Sequence, residues 1–467
     1  MKINKQFFTS LLAFTVLGVL AVSLSLFFPS SRSEAPTEVT LSDRAQNAFA
    51  SVEIVNAGGV YSVTAEDGVY SCDRLAGLPL SQSACDELAR ECTSLTAVGP
   101  LVQDPDAPID YGFDFPLAQA QATYSDGGGI SIEVGAQITG TDQYYIRVNG
   151  GNTVYQIGRS SIRYLLSDIS SYLDLSLSPV EEAGNALPSS IEWTTNGQTL
   201  RLDRLPIPQT DGMGLSYSYQ LAGDRLSYVD PDAFTTYFDQ LSTLRADGVV
   251  TLYPSEPELK EYGLSDESDY STLSFTLLGQ SVTLRIGNFT GNFYYLYREG
   301  VPAVYRLNLS EAHWIGVTRY ALMSRYLMAP ALDTLREIQI EASGQTYLFD
   351  LTETSVSFNG EFLSQETFEQ FYRLLCSLRA EYEMEDPMQN IPPDAVITFV
   401  YDEPLADPEL SDSGYRTEVI RFIPYGVKRH AIEIDGTAQY AVRSSYLSRL
   451  LFVLSDLQDG QEIDPTW

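Results

Sequence analysis

The chain has 467 residues, of which 62 are acidic and 28 basic, for a formal net charge of −34. A surface so negative repels nucleic acid and excludes a DNA- or RNA-binding role. It also repels anionic lipid headgroups, and it suits either plain solubility in an exposed compartment or attraction of cations or a basic partner.

Phe7 to Phe28 is an apolar run of 22 residues without a charge. As a helix it spans about 33 Å, enough for a bilayer core. Lys2 and Lys5 precede it, which places the N-terminus inside. A cleaved signal peptide is the rival reading, but its apolar core is about 7–15 residues and ends at small residues. Phe27-Phe28-Pro29 is a poor cleavage context. Residues 7–28 are therefore read as an uncleaved anchor in the cytoplasmic membrane, with Thr37 to Arg44 as a short tether. No second run approaches the length of a span. The expectation is a single pass with the bulk of the chain extracytoplasmic.

Beyond the tether one helix entry is written three times. Ser81, Asp230 and Ser364 are each good N-caps, because a side-chain oxygen there satisfies an orphan N–H of the first turn. Each is preceded by an apolar residue (Leu80, Val229, Leu363) and followed four positions later by another (Cys85, Phe234, Phe368), the pattern of a hydrophobic staple. The apolar positions then recur at helical spacing: Cys85, Leu88, Cys92, Leu95; Phe234, Tyr237, Leu241, Leu244; Phe368, Phe371, Leu375, Leu378. One face of each helix is thus expected in a core.

In copy one the helix is followed by Asp110-Tyr111-Gly112-Phe113, and by alternating stretches at Ala118–Tyr124 and Ile130–Val134 that read as half-buried strands. Then come Gly135, the pair Tyr144-Tyr145, the turn Asn149-Gly150-Gly151 and Val154-Tyr155. Copy two repeats the series: Glu261-Tyr262-Gly263-Leu264, strands at Leu273–Leu277 and Val282–Ile286, Gly287, Tyr294-Tyr295, Glu299-Gly300 and Val304-Tyr305. Copy three is worn. It lacks the Tyr-Gly step, keeps Gln439-Tyr440-Ala441-Val442, and its spacing places His430 at the position of Tyr145. Arg159-Ser160-Ser161 and Arg443-Ser444-Ser445 each lead into a Leu-rich segment read as a closing helix.

The expected architecture is α+β: three tandem related domains, each an antiparallel meander with one or two packed helices. The segments are 1–38 (cytoplasmic tip, transmembrane anchor and tether), 39–183, 184–331 and a divergent 332–467. Each domain is on the order of 130 residues, too long for a solenoid repeat. Leu177–Ser189 reads as the first linker. Met328–Leu332 is a second one short enough for domains two and three to pack closely.

Four cysteines in an extracytoplasmic chain raise the question of disulfides. Cys85 and Cys92 lie about 10 Å apart along one helix and cannot bridge each other. They take core positions of the repeat, and Cys72 on the preceding hairpin is the candidate partner for one of them. Cys376 reads as free. The two histidines, His313 and His430, fall in different copies. His313 beside Trp314 reads as packing. No Walker loop, GxGxxG, GxSxG or HExxH is present. No catalytic, cofactor-binding or metal-ligating residue is assigned, although spacing leaves a carboxylate-only glycosidase site open. Asp104-Pro105-Asp106 and Asp402–Asp412 lack the alternating oxygens and central Gly of an EF-hand loop and read as solvated loops. Asn288-Phe289-Thr290 and Asn308-Leu309-Ser310 match a glycosylation pattern. The tyrosines Tyr144, Tyr145, Tyr155, Tyr294, Tyr295 and Tyr305 form the candidate interaction surface, since Tyr suits interfaces. The alternative is packing on a sheet face.

The anchor, the capped helix, the Tyr-Gly-[Phe/Leu] step, the strand ending at Gly, the Tyr-Tyr pair and Val-Tyr together resemble the bacterial domain-of-unknown-function family 4340. The matching residues are Asp110–Phe113, Gly135, Tyr144, Tyr145, Val154 and Tyr155, and again Glu261–Leu264, Gly287, Tyr294, Tyr295, Val304 and Tyr305. The resemblance covers residues 50–330 well and 332–460 loosely. It implies an accessory protein of an ABC-type transport complex in the bacterial envelope, with permease and ATPase subunits as partners, and it brings no catalytic residues. The expected function is a non-enzymatic extracytoplasmic accessory or interaction protein. The alternative is a module binding a wall polymer, glycan or cation.

Overall fold

Three antiparallel sheets carry the chain in the computed structural model, which describes residues 37–102, 111–180, 184–195, 197–222, 227–351, 355–384, 390–406, 413–461 and 463. The expected anchor at 7–28, Asp104-Pro105-Asp106 and residues 407–412 lie outside the described residues. Among the described residues no helix is long and apolar enough to cross a membrane.

The first sheet comprises β1 (Glu38–Asp43), β2 (Phe49–Asn56), β3 (Gly59–Glu66), β4 (Val69–Cys72), β5 (Ser94–Val102), β6 (Ala118–Tyr124), β7 (Gly129–Gln137), β8 (Gln143–Val148) and β9 (Val154–Gly158), with α1 (Gln82–Thr93) between β4 and β5. The second comprises β10 (Ser190–Thr195), β11 (Gln198–Thr210), β12 (Ser216–Leu221), β13 (Gly248–Leu252), β14 (Ser271–Leu277), β15 (Gln280–Phe289), β16 (Phe293–Arg298) and β17 (Ala303–Asn308), with α2 (Pro231–Phe238), α3 (Glu256–Glu261) and α4 (Arg319–Leu322) in the same stretch. The third comprises β18 (Leu335–Ala342), β19 (Gln345–Leu351), β20 (Val356–Phe358), β21 (Glu361–Leu363), β22 (Tyr382–Glu383), β23 (Ala395–Pro404), β24 (Tyr415–Pro424), β25 (Arg429–Ile434) and β26 (Thr437–Arg443), with α5 (Gln365–Cys376) and α6 (Ser444–Gln458).

The strand orders coincide. They run β5-β9-β8-β7-β6-β2-β3-β4, β13-β17-β16-β15-β14-β10-β11-β12 and β22-β26-β25-β24-β23-β18-β19-β20. The repeat first seen in the helix entries therefore extends to a whole eight-strand topology. A further segment pairs beside the residues that follow the helix each time, as a strand in the first repeat and as a single bridge in the other two. In the first sheet it is β1, paired with β5 from Glu38 opposite Val98 to Asp43 opposite Ser94. In the second, Ser176 bridges Arg245, and Leu177 N–H reaches Leu244 O at 2.9 Å. In the third, Tyr326 bridges Arg379, and Leu327 N–H reaches Leu378 O at 2.9 Å. This corrects the tether reading of Thr37–Arg44: alternating Val39 and Leu41 make an edge strand whose backbone groups are paired by β5.

The helix entries form as their chemistry requires. Ser81 accepts from Ala84 N–H, Asp230 from Asp232 and Ala233 N–H, and Ser364 from Thr367 N–H. Cys85, Leu88, Cys92 and Leu95 are each 0% exposed, and full burial of a side chain the size of Leu contributes roughly 1.5–3 kcal/mol. In copy two the helix stops at Phe238 and a 3-10 turn, Asp239–Thr243, carries Leu241 into the core. The closing segment of copy one departs from expectation. It is made of turns and two 3-10 pieces, Arg159–Ser161 and Ile169–Tyr172, where copy three has the regular α6. Ser167, Asp168, Ser170 and Ser171 interrupt its Leu pattern, and Ser167 Oγ and Asp168 Oδ1 both bond nearby backbone, which competes with helix.

The chain divides into two compact units, Met1–Asp174 and Leu175–Trp467. The first holds the first sheet and the second holds the other two. Within the second unit the β11–β12 hairpin reaches toward the third repeat. Gly212 N–H bonds Ala329 O at 2.9 Å, and Tyr372 O–H on α5 bonds Pro330 O at 2.5 Å. Tyr217 O–H bonds Asp211 Oδ2 at 2.5 Å and lies 2.9 Å from Ser324 Oγ. The chain passes from one repeat to the next at Ser324, since Met323 still bridges Val229 while Arg325 O already accepts from Ala380 N–H.

Candidate interaction site

The Tyr-Gly step and the later Gly, far apart in sequence, are one device. Gly112 and Gly263 adopt φ of +77° and +71°, a region open to Gly at no steric cost. The turn each creates presses its tyrosine carbonyl onto a strand. A Cβ built on Gly135 would sit 2.2 Å from Tyr111 O, and one on Gly287 would sit 2.2 Å from Tyr262 O. Both strands shift register at that glycine, between Val134 and Gln137 and between Ile286 and Phe289. The bulge re-aims the strand end, and Asn288 N–H closes it on Tyr262 O at 2.8 Å. The next apolar residue is driven inward: Phe113 is 5% and Leu264 0% exposed. Each turn tyrosine then meets the second member of the Tyr-Tyr pair. The ring centroids of Tyr111 and Tyr145 are 5.0 Å apart, those of Tyr262 and Tyr295 4.6 Å. Asp110 lies outside the described residues.

The six candidate tyrosines do not share one fate. Tyr144 is 7% and Tyr305 0% exposed, so both rings belong to the core and present no face to a partner. Their strand positions, opposite Ile157 and Leu296, explain this. Tyr145, Tyr155, Tyr294 and Tyr295 are half-buried. In the second repeat the pair belongs to a larger cluster. Phe289 packs on Tyr294 at 4.7 Å, Phe293 meets Tyr295 edge-on at 5.3 Å, and Tyr262 completes the set. Phe289 remains 46% exposed. Sequence reasoning stopped at Tyr294-Tyr295; the signal for the rest was the unbroken run Phe293-Tyr294-Tyr295 and Phe289 directly after the bulge.

The same register in the first repeat places Gln137 where Phe289 stands, since Tyr144 opposes Gln137 as Tyr294 opposes Phe289. Gln143 likewise precedes the pair where Phe293 does. In the third repeat Pro424 and His430 oppose each other there. His430 therefore aligns with the inward Tyr144, one place from the position that sequence spacing assigns. Its partner across β26 is Val442, as Ile157 is for Tyr144 and Leu307 for Tyr294. The ring is 6% exposed, with Nε2 3.0 Å from Asp394 Oδ2. His313, expected to pack, is exposed; its neighbour Trp314 takes the core position.

Two carboxylates lie in the cores. Glu91 on α1 accepts from Tyr164 N–H at 2.8 and 3.1 Å and from Leu165 N–H at 3.0 Å. Burial pushes its pKa up to about 7, and the amides pull in the other direction. Glu418 on β24 occupies the inward row that holds Ile130 and Val282 in the other sheets. Burial raises its pKa too, and Tyr401 O–H donates to it at 3.2 Å. All four cysteines are free and buried, so Cys72 bridges neither core thiol. Burial lifts Cys85 and Cys376 to about 12, which keeps them as inert thiols. Among the described residues there is no group of three or more side chains able to hold a metal ion.

No similar chain is found among curated proteins or among solved structures. A family model, described as a domain of unknown function (DUF4340), matches residues 72–267 and again 252–386. The two matches overlap at the Tyr262-Gly263 turn, run from the end of β4 to just beyond β22, and include both copies of the tyrosine and glycine device. Together they span well over half of the sequence, and the chain belongs to the DUF4340 family.

Proposed function

We propose that this protein is a membrane-anchored, extracytoplasmic interaction subunit of an ABC-type transport assembly, and that the aromatic end of the second sheet is its contact. The observation that carries the contact is the cluster of Tyr262, Phe289, Phe293, Tyr294 and Tyr295 on a strand end that is glutamine-bearing in the first repeat. Half-buried rings grouped at a strand end and topped by the exposed Phe289 suit a partner surface. The anchor rests on the apolar run at 7–28, and the transport assembly rests on the family resemblance.

The test is affinity purification of the full-length protein from its native membrane, with mass spectrometry, beside the variant Phe289→Gln/Phe293→Gln. Stoichiometric recovery of a permease and an ATPase with the natural protein, lost in the variant, is the expected result. Recovery without either subunit would remove the transport reading. The same rings also suit the faces of sugars; retention of the protein on purified cell wall, again lost in the variant, would favour an envelope-binding module instead.

A further inference from the structure

The second sheet ends on β13, which pairs with β17 on one side; among the described residues no strand pairs with it on the other. The first repeat shows the same place filled. There β1 lies along β5 from Asp43 opposite Ser94 to Glu38 opposite Val98, and Gly99 N–H donates to Thr37 O at 3.0 Å. Ala97-Val98-Gly99 of β5 matches Ala246-Asp247-Gly248 of the second repeat. In that repeat Leu177 N–H meets Leu244 O at 2.9 Å and Ala246 N–H meets Leu175 O at 2.8 Å. The pairing stops there, because Asp174 N–H turns to Pro79 O and Leu173 bridges Leu80. The outer side of Gly248–Leu252 is left without a neighbouring strand.

An open edge is a template for pairing with another chain, and folded proteins guard it with charge, proline, brevity or cover. The other edges of this chain carry such guards. β1 has Glu38 and Asp43 at its ends. On β4 the Tyr70 N–H donates to Gln82 Oε1 at 2.9 Å. Gln220 of β12 is bridged by Tyr228. β21 and β22 are three and two residues long and carry Glu361 and Glu383. Even β5 has Pro100 after Gly99, where the second repeat has Val249. β13 reads Gly-Val-Val-Thr-Leu, without a charge or a proline, and Val250 is 36% exposed. Its β-branched residues favour strand pairing. The register shift between Val249 and Thr251 is no bar to an added strand. β5 shifts on β9 between Val98 and Val102 and still takes β1.

We propose that the open edge of β13 accepts an extended segment of a partner protein as an added strand. The segment is apolar at alternate residues, as β1 is at Val39 and Leu41, and free of acidic residues. Main-chain hydrogen bonds hold a strand added in this way, and its alternate side chains give specificity. Charge argues for the acid-free partner and against a second copy, since two chains of net charge −34 repel each other. The inference is independent of the transport reading, because its test involves no transporter subunit.

The experiment is hydrogen exchange, read by mass spectrometry, on the full-length protein in detergent. The added strand is the N-acetylated, C-amidated peptide Lys-Val-Thr-Leu-Ser-Val-Lys. It keeps the Val-Thr-Leu of Val39–Leu41 and has lysine in place of the flanking acids. Exchange is expected to slow at Gly248–Leu252 and to stay unchanged at Ser94–Val102, which β1 already pairs. A copy N-methylated at its five central residues loses its main-chain donors and is expected to bind weaker by about tenfold or more. Val250→Lys sets like charges on the two strands and is expected to weaken the peptide by up to about fivefold. Unchanged emission from Trp193 on β10 will show that this variant is folded. No slowing at Gly248–Leu252, slowing at Ser94–Val102 instead, or equal binding of the methylated copy would overturn the proposal. Slowing at Gly248–Leu252 that grows with protein concentration and needs no peptide would give the edge to a second copy, and would overturn it as well.

Discussion

Glu91→Gln tests whether the first unit carries a buried, proton-linked carboxylate. Glu91 is 7% exposed and holds three amide bonds to Tyr164 and Leu165. Burial lifts its pKa from 4.5 to about 7. At roughly 1.4 kcal/mol per pKa unit the linkage is worth up to about 3 kcal/mol. Between those two pH values the folded state keeps a proton that the unfolded state has released. The stability attached to this group is therefore complete below pH 4.5 and is lost as pH rises through about 7. Glutamine keeps an acceptor oxygen for the amides and carries no charge, so it has no such slope. Emission cannot follow this unit, because the sequence has no tryptophan before residue 193 and the unit ends at Asp174. Cys85 and Cys92 can, since both are fully buried and inert until the unit opens. Urea unfolding read by pulse alkylation of these two thiols should show the variant gaining on the natural protein by up to about 3 kcal/mol between pH 5 and pH 8. Other acids titrate equally in both chains and cancel. A stability difference that does not move over that interval would refute the reasoning.

Three further outcomes follow from the geometry. Gly287→Ala brings a methyl against a backbone carbonyl 2.2 Å away and is expected to cost roughly 1–3 kcal/mol or more, read from tryptophan emission in urea. Asp230→Ala removes the acceptor for two N–H groups of α2 and should cost about 1 kcal/mol by the same assay. Tyr217→Phe deletes the hydroxyl that meets Asp211 and Ser324. A loss of roughly 1–3 kcal/mol is expected, with Cys376 in the third repeat becoming labelled at lower urea than the tryptophans of the second repeat report; coincident transitions at the natural midpoint would count against a role for that hydroxyl at the crossing.

Much of the fold was legible because local rules and the repeat agreed. The three caps and the alternating Ala118–Tyr124 strand need only neighbours within a few residues and appear as read, whereas the helical spacing of copy two fails after Phe234, where the helix ends at Phe238 and that ring, not Tyr237, is buried. The other failures depend on pairing across the chain. Thr37–Arg44 looks like a tether because nothing local says that Ser94–Val98 waits to pair with it. His430 slipped by one place because the hairpin between β25 and β26 is shorter, with Asp435-Gly436 at the turn and a register shift after Ile432. Tyr144 and Tyr305 were offered to a surface because alternation fixes that neighbours face opposite ways but leaves open which face is covered. The Gly135 and Gly287 positions were visible as markers, yet only the approach of Tyr111 and Tyr262 shows why no side chain fits there.

The repeats also make the protein its own control. The first sheet folds with Gln137 and Gln143 at the register where the second has Phe289 and Phe293. Phe289 is 46% exposed and Phe293 half-buried, and the bulge beneath them is set by Gly287 and the Tyr262 carbonyl rather than by the rings. Phe289→Gln/Phe293→Gln removes two ring contacts at the strand end and should therefore shift the urea midpoint by the equivalent of only about 1–2 kcal/mol. If so, any partner lost by that variant is lost through the missing rings and not through unfolding. A destabilisation of several kcal/mol would instead mean that the rings hold the strand end together, and the aromatic cluster would then be packing of the kind seen at Tyr144.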